Sequence, residues 1–496
     1  MNAWREAVWH RQWQPWLAAW LGIALMLWLA WPGFYTSDSV VQFAQARGLL
    51  PLSDEHPPLM ALAWRALDRL WPDFLQPRAA ALFALLVVGY WSALATLVWR
   101  LFDGNAWRWL IFALIGLWPP AFIIICHVWK DGLAAAALLA ACAAIVAWRR
   151  FGRRSGFAFA VLWLIVAACL RHNAILAAAP LALWLAWPRG TSISRDAPIR
   201  LRPAAQRIGA ITIAICLAMA IAPPLVARVT HAHAGHAWTI GVLWDLAGMS
   251  VRENRVLIPQ NMVIGTLSIE DLRHGYMPYA APALFDLGKI RLSFEDNFSD
   301  ADLSALRSAW LHAIWNHPGA YLQHRLAYAR YQFLGYPRDA IRDLTFSPMR
   351  LQLAQMPMQL PPVDTNSPWL RMMEWLRPTP LFAGALYVAL AFIAAWIAWR
   401  RRLGRDPLPV FALSASALAN ALPLTVIAPS AEFRYMIWSV LASLLALALA
   451  LQPGERILRT PLMASLSNQM PLMVSLSNHR LRISEAQDDR ELTATP

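Results

Sequence analysis

A chain that repeats apolar runs of membrane-crossing length has few ways to fold. Stretches such as PWLAAWLGIALMLWLAWP recur along the sequence, each close to the ~20 residues an α-helix needs to cross the hydrocarbon core. The hydrophobic share of 58%, against about 45–50% in ordinary soluble domains, agrees with this, and the chain reads as an all-α polytopic membrane protein. The first run follows a Trp-rich basic segment and has no small-residue cleavage site, so it reads as a retained span.

Spans are predicted near residues 16–32, 79–101, 107–126, 132–148, 156–170, 174–187, 208–228, 379–399, 409–428 and 434–451. That makes about ten transmembrane helices, the fifth and sixth short enough to be tilted, broken or re-entrant. Arginines gather in the short loops: Arg149, Arg150, Arg153 and Arg154, then Arg189 to Arg207, then Arg400, Arg401, Arg402 and Arg405. Such loops mark the cytoplasmic side, and they account for the net charge of +14 without nucleic acid as a partner.

Threading the basic loops inward puts both termini in the cytoplasm. It divides the chain into an N-terminal membrane domain (1–228) with an amphipathic first outer loop (33–78), a mixed extracytoplasmic domain (229–378) and C-terminal transmembrane helices (379–452). Residues 453–496, with the near repeat PLMASLSNQM and PLMVSLSNHR, read as a disordered cytoplasmic tail. Cys126, Cys142, Cys169 and Cys216 lie in or beside apolar runs, and their spacing implies neither a disulfide framework nor a metal knuckle.

With this threading, polar groups converge on one membrane face. The first outer loop carries Asp38, Asp54, Glu55 and His56; the next junctions carry His127, Lys130 and Asp131, then Arg171, His172 and Asn173, and finally Glu432, Arg434 and Tyr435. An ionised side chain at mid-bilayer costs about 2.5–3.5 kcal/mol, so such groups belong at the interface or in a wet cavity. Each also has a structural reading. Asp38 beside Ser39-Val-Val-Gln42 fits a helix cap, Asp54 and Glu55 before Pro57-Pro58 fit a helix start, and Arg171 and Arg434 can snorkel. The helix after Pro58 presents Leu59, Leu62, Ala66 and Leu70 on one face, as an interfacial helix roofing a site would. Lys130 is less easily explained: of 43 basic residues only Lys130 and Lys289 are lysines, and a compact ammonium suits a phosphate at a membrane boundary. His231, His233 and His236 read as a loop start, because their spacing fits a metal site poorly. No Walker loop, GxSxG, HExxH or dinucleotide fingerprint occurs.

An outer carboxylate, several cations at the same depth and an attached outer domain suit a lipid-linked phosphate substrate. The cations would hold the phosphate as it leaves, and the carboxylate would take a proton from the attacking acceptor. The segments PGFYTSDSVVQFAQA, DEHPPLMALAW, KDG, LRHN and EFRY together resemble the GT-C class of polyprenyl-phosphate-dependent membrane glycosyltransferases. Within it they look most like glycosyltransferase family 39-like bacterial relatives of the protein mannosyltransferases and aminoarabinose transferases.

The resemblance implies a GT-C-like fold in the inner membrane, multi-pass, with a periplasmic active site, a polyprenyl-phosphate-linked sugar as donor and an envelope lipid, glycan or protein as acceptor. It implies that Asp38 is the catalytic base or a metal-site ligand, with the base as the first choice and a divalent cation as a cofactor that the class allows. His56, Glu55, Lys130, Asp131, Arg171, His172, Asn173, Glu432, Arg434 and Tyr435 are the expected substrate-binding residues. HPGAYLQHRLAYARYQFLG (317–335) resembles the helix that leads back to the membrane in some relatives. TSDS departs from the close acid pair of many members by offering one acid, with Asp54 and Glu55 further on.

Two other readings stand beside this one. An O-antigen ligase or polymerase would place its chemistry on His312, His317, His324 or Arg325. A transporter or flippase of lipid-linked saccharides would use the cations for binding alone, though inverted repeats and midplane polar groups are not evident.

Overall fold

The computed structural model describes residues 13–189, 201–293, 297–335, 366–401 and 406–452, without the side chains of 201–203. Its helices are α1 (Gln14–Ala30), α2 (Ser37–Arg47), α3 (Leu59–Leu70), α4 (Ala80–Leu101), α5 (Asn105–Gly116), α6 (Pro119–Ile125), α7 (Lys130–Phe151), α8 (Arg154–Leu170) and α9 (Ala174–Ala186). They continue with α10 (Leu201–Val229), α11 (Trp238–Glu253), α12 (Asp300–Asn316), α13 (Pro318–Leu334), α14 (Pro368–Leu376), α15 (Gly384–Arg400), α16 (Leu408–Ala421) and α17 (Ile437–Leu451), with shorter turns between them. Among the described residues β-structure is limited to isolated bridges. The tail 453–496, Arg402, Arg405 and part of the Arg189–Arg207 cluster lie outside the described residues.

Five helical segments are long and apolar enough to cross a membrane: Ala80–Leu101, Lys130–Phe151, Ala204–Val229, Leu408–Ile427 and Phe433–Leu451. Helices α5 and α6, bent by 62° at their junction, make a sixth if taken as one span. The chain is a multi-pass membrane protein, but the count of about ten spans is corrected. The segments expected at 16–32, 156–170, 174–187 and 379–399 form apolar helices of 10–17 residues, short of the ~20 needed to span upright. Pro32 follows α1, arginines bound α8 at both ends, and Pro180 sits inside α9, where it removes a backbone hydrogen bond.

Helix α7 is central. Alanines cover much of its surface, so α4 and α8 approach it closely. Helix α9 joins this group to α16, α16 packs on α17, and α17 on α15. Trp91 of α4 sits between Gly22 and Gly116, and a β-carbon at either glycine would overlap its ring.

Beside the bundle, residues 242–320 gather a second hydrophobic cluster around Leu243, Leu246, Met262, Leu272 and Leu306. This segment is tied to the bundle by backbone bonds at two places. Ala281 N donates to Pro429 O (3.1 Å) and Ala431 N to Tyr279 O (2.8 Å), while His233 N donates to Leu52 O (2.8 Å) and Asp54 N to His233 O (2.9 Å). The His231–His236 stretch is therefore a docking edge for the loop between α2 and α3.

Helix α3 turns a different face inward from the one its leucines suggest. Met60, Ala61 and Trp64 are buried, and Leu70 is 81% exposed. Trp64 decides the rotation: its ring packs on Phe43 and Tyr35 and its Nε1 donates to Ala79 O (3.1 Å). Arg65 then reaches the last carbonyls of α2, donating to Ala46 O and Gln45 O (both 2.8 Å), where a cation also suits the helix dipole.

Candidate active site

The entry to the first outer loop is stitched to the segment before α7. Phe34 N donates to Cys126 O and Val128 N to Phe34 O (both 2.9 Å); Ser39 Oγ donates to Val128 O (2.7 Å) and Trp129 Nε1 to Thr36 Oγ1 (2.8 Å). These bonds carry Asp38 and Lys130, 92 positions apart by residue number, to the same end of the bundle. The cap of α2 is made by Thr36, whose amide donates to Ser39 Oγ (3.3 Å). Asp38 is thereby left free of capping, and its carboxylate points elsewhere.

That carboxylate opens a ring of contacts. Asp38 Oδ2 pairs with Arg434 Nη1 at 2.7 Å, and Arg434 also pairs with Glu432. Tyr435 Oη donates to Glu432 Oε1 (3.3 Å), and the Arg171 guanidinium lies 4.4 Å over the Tyr435 ring. Arg171 pairs with Asp131 and donates from Nε to Asn173 Oδ1 (2.7 Å). Lys130, next to Asp131 in sequence, donates to His56 Nδ1 (2.6 Å), and His56 Nε2 faces Asp38 Oδ1 at 4.0 Å. Three carboxylates and three cations thus close on themselves around one half-buried histidine.

The turn carrying Glu432 and Arg434 is fixed from behind, where Asn420 Nδ2 donates to Tyr435 O (3.0 Å). Arg434 also lies 4.9 Å over Trp129, an aromatic contact of the kind that strengthens when desolvated. Lys130 differs from the two arginines: among the described residues it has no carboxylate within ion-pair distance. It also starts a 22-residue helix, where the dipole favours an anion and disfavours a cation.

Electrostatics within the ring are uneven. Burial works to raise Asp38, but Arg434, then His56 and Lys130, hold it well below the usual carboxylate range. Burial, then Lys130, push His56 down to about 3, and burial raises Glu55. His56 is therefore neutral at pH 7, with Nδ1 accepting from Lys130 and the ring proton on Nε2, facing Asp38. Between pH ~6.5 and about 3 the unfolded chain binds a proton here that the folded one does not, so stability falls as pH falls through that window. The His56→Gln variant is expected to lack this slope, gaining on wild type by up to ~1.4 kcal/mol per pH unit on acidification. Thermal unfolding of both at pH 7, 5.5 and 4 checks it, and parallel curves would contradict a buried neutral ring.

Of the residues expected from sequence, Asp38, His56, Lys130, Asp131, Arg171, Asn173, Glu432, Arg434 and Tyr435 form the ring. Glu55 flanks it, so close to the chain that a β-carbon on Gly235 would stand 2.7 Å from Glu55 Cβ. Asp54 turns away to accept from Gly235 N (2.6 Å), and His172 is exposed at the rim. The ring's partners Trp129 and Thr36 were not anticipated. No grouping of three His, Cys, Asp or Glu among the described residues is placed to hold a metal ion. Asp38 has an arginine where a metal ion would sit.

A groove enclosing about 640 Å³ starts beneath the ring at Leu59, Leu133 and Leu170, close in sequence to Lys130 and Arg171, and continues between α4, α7 and α8.

A second polar cluster joins α11, α12 and α13; His324 and Arg325 were candidates of the ligase reading, whereas Asp245, Tyr276 and Trp310 were not expected from sequence. Asp245 Oδ1 pairs with Arg325 Nη2 (2.7 Å) and stands 3.0 Å from His324 Nε2; Asp245 Oδ2 accepts from Trp310 Nε1 (2.9 Å). His324 Nδ1 meets Tyr276 Oη at 2.7 Å, and Arg325 Nη1 donates to Ala428 O (2.9 Å). Asp245 and His324 are fully buried. An aspartate inside the apolar run LWDLAG was the available signal for Asp245. Compared with family models, curated proteins and solved structures, the chain matches none of them.

Proposed function

We propose that the chain is a glycosyltransferase of GT-C type that moves a sugar from a polyprenyl-phosphate carrier to a lipid, glycan or protein acceptor at the periplasmic face of a bacterial inner membrane. The observation that carries the reading is a carboxylate ringed by cations at the end of the bundle, directly above an apolar groove. The donor's phosphate meets Lys130 and the N-terminus of α7, with Arg171 and Arg434 beside it, and the carrier's tail leaves through the groove mouth at Leu133 and Leu170.

The acceptor oxygen or nitrogen attacks the anomeric carbon and the bond from that carbon to the phosphate oxygen breaks. Its electron pair stays on the phosphate, where the cations stabilise the developing charge. The acceptor's proton passes to Asp38. In the resting ring Arg434 makes Asp38 a weak base; a phosphate that draws Arg434 toward itself releases the carboxylate when it is needed. The ligase reading loses support, because His324 and Arg325 are sealed in the Asp245 cluster and His317 pairs with Glu253 (3.0 Å).

The test is the envelope glycan mass profile of cells lacking the chain, complemented with wild type or with an equally expressed Asp38→Asn variant. Asparagine keeps the size but accepts no proton, so transfer is expected to fall about 10²- to 10⁴-fold and the missing sugar to stay missing. Equal restoration by both would remove Asp38 from the chemistry and favour transport of the lipid-linked saccharide.

A further inference from the structure

The groove beneath the ring has another end. Along α4 it is lined from Leu82 to Arg100 and along α7 from Leu133 to Ala147; at ~1.5 Å per residue that is about 21–27 Å, most of a hydrocarbon core of ~30 Å. The end away from the ring is lined by Arg100, Arg153 and Ser155. Arg100 Nη1 donates to Ala143 O (2.8 Å), and Arg153 is close enough to repel it. Neither guanidinium has a carboxylate within ion-pair distance among the described residues.

Snorkelling accounts for an arginine at a membrane boundary. It does not account for two like charges meeting at the end of one apolar groove. Ser92, Thr96 and Arg100 also stand at successive turns of α4, each facing the groove and each partly exposed between fully buried neighbours. Serines and threonines within spans commonly bond back to the carbonyl four residues before, as Thr212 does to Ile208 O (2.8 Å). Ser92 and Thr96 make no such bond. A plain hydrocarbon tail would leave these hydroxyls and guanidiniums against alkane, and a small anion would leave the apolar walls unused. An anionic amphiphile meets both demands.

We infer that this end of the groove binds an anionic phospholipid of the leaflet opposite the ring. Its phosphate lies against Arg100, Arg153 and Ser155, its ester carbonyls reach Thr96 and Ser92, and one acyl chain follows the alanine wall of α7. The site is on the far side of the bundle from Asp38 and does not depend on the transferase reading.

The test uses the full chain purified in a neutral detergent and titrated with phosphatidylglycerol or phosphatidylcholine, with bound lipid counted by native mass spectrometry. Phosphatidylglycerol is expected to bind about 30-fold more tightly than phosphatidylcholine, from two arginines near the surface, with the preference falling as salt rises. The Arg100→Gln/Arg153→Gln variant is expected to lose the preference, and Lys130→Gln to keep it. Ala140→Phe, which leaves both arginines but fills the groove, is expected to weaken phosphatidylglycerol binding, so the proposal stays open to refutation if the double variant fails to fold. No preference in wild type, a preference untouched by the double variant, or full binding by Ala140→Phe would overturn it. So would a parallel titration with a polyprenyl phosphate in which the double variant loses that lipid and keeps phosphatidylglycerol, which would assign the whole groove to the carrier.

Discussion

Replacing Arg434 with glutamine is expected to remove about 3–5 kcal/mol of stability and to abolish transfer. The guanidinium pairs with Asp38 and Glu432 and is itself buried. Glutamine keeps some of the packing but leaves two carboxylates facing each other without a counter-charge, and the loss of one partner from a buried pair is more damaging than the absence of both. Lysine restores the charge without the forked geometry or the stack over Trp129, so part of the stability returns while transfer does not. Adding Glu432→Gln to Arg434→Gln removes one orphaned charge and is expected to recover stability, a coupling that a double-mutant cycle reads directly. Thermal unfolding in detergent and the glycan profile are the measurements. An Arg434→Gln protein as stable as wild type would mean that the ring does not exist as an ionised network.

Asp245→Asn is the second large effect, again about 3–5 kcal/mol. Asparagine has nearly the same shape, so the loss is electrostatic. Arg325 would keep Ala428 O but lose its only carboxylate among the described residues. His324, which burial holds below its ordinary range against the pull of Asp245, stays neutral and makes little difference to the charge. The Asp245→Asn/Arg325→Gln pair is expected to be more stable than Asp245→Asn alone, since no charge is then left uncompensated. Strict additivity in thermal unfolding would show that the two residues do not act as a pair. Because Arg325 holds the carbonyl of Ala428, four residues before Glu432, it is the variants that replace Arg325 that are also expected to loosen the ring, seen as a larger loss of transfer than their remaining folded fraction explains.

Much of the ring was legible because apolar surroundings make charges conspicuous. Asp38, Lys130, Arg171 and Arg434 each lie beside a hydrophobic run, and the structure brings them together in one ring. What periodicity could not give was contact order: that Asp38 pairs with Arg434, while Asp54 turns back to Gly235, depends on the backbone bridge at Phe34 and the docking edge at His233. Span number failed for a related reason. Hydropathy registers apolar composition, whereas α1 stops just before Pro32, α8 stops at Arg171, and α9 runs only from Ala174 to Ala186 with Pro180 inside it. The buried face of α3 follows Trp64 and not Leu59, Leu62, Ala66 and Leu70, because the tryptophan has an aromatic cluster to enter.

The ring joins residue 38 to residue 434, and this has a consequence for biosynthesis. A chain emerging from the ribosome presents the Asp38 carboxylate early, close to lipid, and holds it there until the segment just before α17 supplies the guanidinium that neutralises it. Until then the Asp38 carboxylate lies beside an apolar bundle without its ion-pair partner, with Lys130 as the nearby cation already in place. Arrival of the segment before the last helix ends that exposure and closes the ring in the same event.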